Sequence, residues 1–398
     1  MKKIFLSIII VLSILLAGCW DMIEPEKMGL VTIIGIDSSS EGQIKVIVHE
    51  MAQQKQSAGT QGSSGGSVPT KLHEATAPTI AEAIQKIAAS DFRRLYLSHV
   101  RAVILSEELV SSEGVTSIID FFERNLRIRI NSWILIAKKG QFDSIFSVGT
   151  SIETGTDTGK LIEGIITNRP TLFISTNSLT DFLSLYWETG SEPYTSGISL
   201  IEIPVSKAKQ EAGEKPDESH KYDLSIQNTA VFKKDKLVGW MDNEESTGLL
   251  WATDKIRWGE LAIKLNGKNV VLRVEKASSN VKPMIIGEKI VMKIDIDVTS
   301  DIVESQTNIN FEQIEVINKI QYLVAEKIKK QIIAAFEKSK KLNSDVFGYG
   351  NYFFGKYPEY WGQIEASWYD YYQDIELDIK VKSKVDHIGL SRKTREGK

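Results

Sequence analysis

The sequence predicts a mixed α/β protein of the α+β kind, ending in an antiparallel sheet covered by one long helix. Three observations carry this. Strand-like and helix-like runs alternate from residue 29 to about residue 148. Ile290, Met292, Ile294, Ile296 and Val298 alternate with polar residues, as in a strand buried on one face. Asn310 to Lys341 is an amphipathic run long enough to cover such a sheet. At 398 residues, 42% hydrophobic and 25% charged, the chain has the balance of a folded protein of two or three domains. Collagen-like, coiled-coil-only and disordered classes are excluded.

The first residues carry an address. Lys2 and Lys3 precede an apolar run from Ile4 to Ala17, interrupted only by Ser7 and Ser13. A bilayer-spanning helix needs about 20 apolar residues, so this shorter run reads as a secretory h-region. Leu16-Ala17-Gly18-Cys19 then has the order of a bacterial lipoprotein processing site, with the chain's single cysteine at its end. Residues 1–18 are expected to be a lipoprotein signal peptide, and Cys19 the lipidated N-terminus of the mature chain. Each buried methylene contributes about 0.8 kcal/mol, so two or three acyl chains hold a protein on a membrane far longer than one. Losing Lys2 and Lys3 makes the mature chain more acidic than the −4 of the full sequence, so the lipid, not the overall charge, is the anchor.

Gly29–Ile36 and Ile44–Met51 read as strands joined by the turn-rich segment 37–42. Gln53–Thr70, rich in Gln, Ser and Gly, cannot bury a face and reads as a surface loop. Thr79–Ala89 has helical apolar spacing through Ile80, Ala83, Ile84 and Ile87. Val100–Leu105 follows as a strand, Val115–Glu123 as a helix, Ile130–Ala137 as a strand and Phe142–Phe146 as a short helix. The Gly/Thr-rich segment 150–164 marks a boundary. Lys160–Thr167 and Leu179–Tyr186 are helix candidates, Ile198–Ile203 is a strand, and the charged stretch Pro204–His220 is a linker. Tyr222–Phe232, Val270–Glu275 and Ile290–Val298 are strands. The long helix would bury Ile314, Ile317, Ile320, Leu323, Val324, Ile328, Ile332 and Phe336. Pro358 opens a further helix, Glu359–Tyr371, and Ile375–Val385 closes the sheet. The expected units are residues 19–149, an N-terminal α/β domain; 150–220, a middle domain and linker; and 221–398, a C-terminal α+β domain.

Chemistry is sparse. The five histidines, His49, His73, His99, His220 and His387, form no HxH or HxxxH metal pair. One cysteine excludes an intrachain disulfide and any multi-thiolate metal site. Residues 62–66 match G-x-S-x-G but lie in a Gly/Ser loop without the strand and helix that motif needs. Residues 155–160 resemble a phosphate loop, with one residue too few between the glycines and Leu161 where Ser or Thr would bind magnesium. Ser279 and Lys282 have S-x-x-K spacing without its partner motifs. No enzyme, cofactor or metal is expected, and a chain with 48 basic against 52 acidic residues lacks the charge of a nucleic-acid binder.

Two constellations suit contacts instead. Phe347 to Tyr372 holds 12 aromatic residues, among them Tyr352, Phe353 and Trp361, which are candidate partner-interface residues because Tyr and Trp favour interfaces. The competing role for this segment is to fill the join between helices and sheet. Arg124, Arg127 and Arg129 suit lipid phosphates or an acidic partner loop, or simply form a solvated face.

Taken in order, several pieces resemble the Ger(x)C family, the lipoprotein C subunits of nutrient germinant receptors in endospore-forming bacteria. They are Gly18-Cys19-Trp20-Asp21, Ile33-Ile34-Gly35-Ile36-Asp37, the run from Leu95 to Leu109, Asp120-Phe121-Phe122, Asp345-Val346-Phe347-Gly348-Tyr349-Gly350 and Tyr357-Pro358-Glu359-Tyr360-Trp361. The resemblance implies a three-domain mixed α/β protein lipidated at Cys19, on the outer face of the spore inner membrane. It also implies two membrane-spanning partners, the A and B subunits, to which the family's nutrient binding and ion conduction are ascribed. No catalytic residue carries over, and the loop Gln53–Thr70 departs from the family pattern. The alternative from another class is an extracytoplasmic solute-binding lipoprotein of a transporter, which would show two similar α/β lobes around a cleft. A hydrolase would need a catalytic cluster assembled from scattered residues. Cys19→Ala is expected to abolish lipidation and release the protein from membranes in a fractionation. Full membrane retention of the variant would refute the anchor.

Overall fold

Ile33 and Ile34 are neighbours in one strand, so their side chains point to opposite faces of the sheet, and both are buried. That strand is therefore covered on both sides. The computed structural model describes residues 27–51, 70–91, 93–125, 127–149, 158–168, 171–202 and 222–388. The signal segment with Cys19, nearly all of the Gln53–Thr70 loop and the Pro204–His220 linker lie outside the described residues.

The first sheet contains β1 (Met28–Ser38), β2 (Ile44–Met51), β3 (Thr70–Ala77), β4 (Arg94–Tyr96), β5 (Ala102–Ser106), β6 (Trp133–Ala137), β7 (Tyr194–Glu202), β8 (Tyr222–Lys233) and β9 (Lys236–Met241). Their order is β3-β2-β1-β5-β6-β7-β8-β9, with β4 beside the start of β1. β1, β5, β6 and β7 run parallel, and antiparallel strands extend the sheet on both sides. The accompanying helices are α1 (Ile80–Ser90), α2 (Glu107–Ser112), α3 (Thr116–Arg124), α4 (Phe142–Gly149), α5 (Thr158–Asn168) and α6 (Leu179–Trp187). α1, α2, α3 and α6 share a core with Ile34, Val46, Val103 and Ile136. On the opposite face α4 and α5 share one with Ile33, Ile47, Ile104 and Leu135. Parallel strands need such crossovers, which is why both faces are covered.

Three expectations change here. β3 was not foreseen, because TKLHEATA has one large apolar residue and pairs with β2 through its backbone. β8, expected to open the C-terminal unit, instead pairs with β7, and β9 follows it. The hydrogen-bonded sheet thus runs across the boundaries expected at 149/150 and 220/221.

α7 (Asn243–Ala252) comes next, and every residue from Ser246 to Ala252 is buried. It packs against β8 and β9 on one side and on the other against α8 (Ile314–Lys341). A capping box starts it: Asp242 accepts from the Glu245 N–H at 2.8 Å, and Glu245 accepts from the Asp242 N–H at 2.9 Å. The fit against α8 depends on Gly248, where a Cβ would stand 2.0 Å from the Gln331 carbonyl oxygen. Trp251 Nε1 donates to Gln331 Oε1 at 3.1 Å, and Gln331 Nε2 donates to Glu244 Oε2 at 2.9 Å. On the sheet side, Thr229 donates to Ser246 Oγ, which donates to the Asp242 carbonyl, so buried hydroxyls have partners.

The second sheet is β10 (Gly259–Leu265), β11 (Lys268–Ile286), β12 (Lys289–Ser305) and β13 (Glu376–Val385), in that order. β11 and β12 are antiparallel, as expected, and β10, which the sequence reading leaves out, pairs antiparallel with β11. β13 joins β12 in parallel, from Val291↔Glu376 to Ser300↔Val385, because the chain crosses over through α8 and the helices after it before returning. α8 covers the sheet with Ile320, Val324, Ile328, Ile332 and Phe336 buried. Ile314 is 63% exposed; it opens the helix, ahead of the face that meets the sheet. The helix expected over Glu359–Tyr371 is interrupted by a 3₁₀ turn at Glu365–Ser367.

Gly248→Val should cost about 3 kcal/mol, the upper end for overpacking a core, because a backbone carbonyl rather than a side chain must move. The check is the urea midpoint of the purified chain. An unchanged midpoint would show that α7 and α8 separate without penalty.

Candidate functional site

Of the interface candidates, the structure brings two into the core. The segment after α8 forms α9 (Tyr349–Lys356), α10 (Pro358–Ile364) and α11 (Trp368–Gln373). Phe353 and Trp361 are buried there with Phe347, Tyr349, Trp368 and Tyr372. Phe353 meets Tyr357 at a tilt and Tyr360 edge-on, and Trp361 lies 5.0 Å from Trp368, ring to ring. Their helix faces turn inward onto the second sheet, so neither reaches a partner unless the fold opens. Tyr352, on the outer face of the same helix, is 41% exposed, and Phe354 is exposed beside it.

The same segment holds a polar knot that sequence reading passed over. The fully buried Asp345 carboxylate accepts from the N–H groups of Tyr349 and Gly350 at 3.0 and 2.8 Å, and from Trp368 Nε1 at 3.0 Å. Its own carbonyl accepts from the Glu192 N–H at 3.0 Å. Glu192 is buried too; one oxygen accepts from Tyr369 OH, the other from the Lys234 N–H. The loop between α6 and β7 is thereby stitched to the start of α9. Gly190 (φ +70°) lies so close to Gly350 that a Cβ on the former would stand 2.5 Å from the latter's carbonyl carbon. Asn351 N–H donates to the Gly190 carbonyl at 3.1 Å. The run Asp345–Gly350 is thus a backbone lock between the two sheets; the signal was its Asp followed by two glycines, which fits a carboxylate gathering turn N–H groups.

Burial pushes Asp345 up to about 7, against the pull of its three donors, and the Glu192 charge adds to the rise. Burial also raises Glu192, opposed by Tyr369 and the Lys234 N–H. An acid whose folded value exceeds its unfolded value, here 3.8, favours the fold when neutral. Its stabilisation is complete below about 3.8 and is lost as pH rises through about 7. Asp345→Asn should destabilise by about 1–3 kcal/mol, because its amide nitrogen must face a donor. The gap to the parent should narrow as pH rises from 4 to 8 in denaturant titrations. A constant gap would contradict the raised value.

At the edge of the first sheet, His73 Nε2 lies 2.7 Å from Glu50 Oε2 and 3.3 Å from Asp91 Oδ2. Arg93 Nε is 3.0 Å from Glu50 Oε1, and Lys71 Nζ is 2.8 Å from Asp91 Oδ2. Burial alone would raise Asp91, but the Lys71 hydrogen bond and the Arg93 N–H and charge bring it to about 2. The ligating atoms of Glu50, His73 and Asp91 lie within 4.8 Å of one another, the spacing of a metal site. Lys71 and Arg93 already neutralise both carboxylates, so the arrangement is chemically an ion-pair network tying β2 and β3 to the end of α1. Its members are scattered in sequence and meet only through β3, which the sequence did not reveal. Of the remaining histidines, His49 is buried, His99 is exposed, His387 faces Asp301 at 3.2 Å, and His220 lies outside the described residues. Arg124 pairs with Asp120 at 2.7 Å, while Arg127 and Arg129 are exposed.

Other pieces of the sequence pattern also serve the scaffold. Gly35 leaves room for Phe146, which a Cβ would meet at 2.3 Å. Asp37 accepts from Ser106 Oγ, and Ser106 caps α2 through the Leu109 N–H. Glu107 accepts from Lys139 N–H and Trp240 Nε1, and Glu108 from Gly140 N–H.

Comparison with known proteins covers nearly the whole chain. Residues 21–200 match the family described as spore germination protein N-terminal domain, and residues 227–389 match spore germination B3/GerAC like, C-terminal. Spore germination protein KC of Bacillus subtilis is 23% identical over 98% of this chain and 97% of its own length. Spore germination protein B3 of the same organism is 21% identical, over 96% and 97%. The crystal structure of the GerBC protein aligns with a TM-score of 0.55 at 16% identity, covering 88% of this chain and 96% of that one. The fold is therefore shared along its length, both halves match in the right order, and the chain belongs to the Ger(x)C family of spore germination proteins.

Proposed function

We propose that this protein is the membrane-anchored lipoprotein subunit of a spore nutrient germinant receptor. It works through protein–protein contact in the response to germinants, not by catalysis. Residues 1–18 direct export, acyl chains on Cys19 hold the mature chain on the outer face of the spore inner membrane, and the A and B membrane-spanning subunits are its partners. The observation that supports this best is the end-to-end match to spore germination proteins, in a chain whose family-like residues do structural work. Asp37, Glu107, Glu108 and Asp345 are all engaged with backbone N–H groups, capping hydroxyls or indole N–H groups. Among the described residues no helix is long and apolar enough to cross a membrane, so membrane residence on this reading depends on the lipid. The solute-binding alternative expects two like lobes, whereas the two sheets differ in strand number, order and helix placement.

Within this reading Tyr352, with Phe354, is the exposed part of the aromatic segment and the part suited to a partner. Spores lacking the gene should fail to lose optical density with a subset of single nutrients, while a trigger that bypasses receptors still works. Tyr352→Ser with Phe354→Ser should reproduce that defect in a folded protein and reduce co-purification with A and B. Phe353→Ser instead should cost about 3–5 kcal/mol and remove the protein altogether. Normal germination of the deletion strain on every nutrient would overturn the assignment.

A further inference from the structure

An open groove of ≈ 880 Å³ runs between α1, the β4 segment and the end of α3. Ile84, Leu95 and Phe121 give it apolar walls, and Arg93, Arg94 and Arg127 line it as well. Arg94 lies 5.9 Å from the ring centre of Tyr96, and Arg94 and Arg127 are exposed. Among the described residues neither holds an ion pair with a carboxylate, and neither does the exposed Arg129. Ile130, next to Arg129, is 59% exposed. The acids on these elements are engaged: Asp91, which also lines the groove, with Lys71 and Arg93, Asp120 with Arg124, and Glu123 with Trp187 Nε1. The local surface is basic on a chain whose net charge is negative.

Position matters as much as charge. Met28 and Gly29 pair with Arg94 and Leu95, so the groove lies where β1 begins. β5 and β6 run parallel to β1 and begin at the same end of the sheet, the Trp133 N–H donating to the Arg101 carbonyl at 2.7 Å. Eight residues separate Cys19 from Met28, and the nine Cα-to-Cα steps between them span at most ~32 Å. β1 then runs away from that end for ten residues, about 33 Å at the usual rise of a strand. Of the two ends of the sheet, the arginine-bearing one is the end the tether keeps near the bilayer.

The geometry points to this groove as a seat for an anionic phospholipid headgroup, its phosphate held by Arg94 and Arg127 and its glycerol end against Leu95 and Phe121. The inference rests on Cys19 being the anchor. Guanidinium groups favour it, being weakly hydrated and able to hold phosphate oxygens in pairs, and an anionic bilayer surface attracts such clusters over a short range.

The test uses the full mature chain, purified from membranes and reconstituted into phosphatidylcholine vesicles with or without phosphatidylglycerol. Lipidation consumes the Cys19 thiol, so a cysteine introduced at the exposed, groove-lining Ser98 is the single site for a fluorophore. Lys139→Cys, at the far end of β6, is the control. Brominated phosphatidylglycerol should quench the probe at 98 several-fold more than at 139, and brominated phosphatidylcholine should not. Arg94→Glu with Arg127→Glu should abolish the difference while leaving flotation and the urea midpoint unchanged. Equal quenching at both positions, or no dependence on headgroup, would overturn the proposal. So would protection at 98 that appears only with an acidic partner protein. Intact mass and flotation on phosphatidylcholine read the anchor separately: a chain without lipid at Cys19 removes the tether and the inference with it, whereas an anchored chain without quenching sinks the groove alone.

Discussion

One helix, buried on every side from Ser246 to Ala252, links the two halves of this molecule. α7 lies between the first sheet and α8 and joins the one to the other. Its backbone approaches α8 so closely at Gly248 that a methyl group there would intrude on the Gln331 carbonyl. Close packing of this kind has no slack, because interiors are as dense as organic crystals. The polar groups that α7 buries find partners: its first turn in the capping box, Trp251 in Gln331, and Ser246 in Thr229 and the Asp242 carbonyl. A buried helix with unmet donors would be costly; this one has few left.

That helix is also what the sequence hid. Asn243-Glu-Glu-Ser-Thr-Gly-Leu-Leu-Trp-Ala shows no apolar stripe, since a helix buried all round has no face to mark. The elements with one wet and one dry side were legible: α1 from Ile80, Ala83 and Ile87, β12 from its alternation, and α8 from a repeat sustained over many turns. β3 escaped for the opposite reason, being an edge strand held by its backbone with little apolar surface to show. β11 was seen only between Val270 and Glu275, yet it runs on to Ile286 through polar residues that pair with β12. The parallel return of β13 follows from chain path, which local periodicity does not encode.

The same distinction explains the candidate sites. An aromatic-rich stretch announces that large rings will be buried or presented, but not which ring goes where. Three consecutive helix positions separate Tyr352, exposed, from Phe353, buried, and Phe354, exposed again. Rotation of about 100° per residue, not residue type, makes that choice. The charged cluster around His73 was invisible because its members come from three separate places in the chain: Glu50, Lys71 with His73, and Asp91 with Arg93. Asp345 stands out in the sequence only within the run Asp345–Gly350 that carries the family resemblance, and the structure supplies its physical reason, a carboxylate that organises a turn from within.

The contact of Gly190 with Gly350 has a mechanical meaning. Where two parts of a protein meet through long side chains, they can shift by rotamer changes and dissipate a push. Here backbone rests on backbone, braced by the Asn351–Gly190 and Glu192–Asp345 hydrogen bonds. Rotation of side chains alone cannot change how these two segments meet, because each approach is made by main-chain atoms.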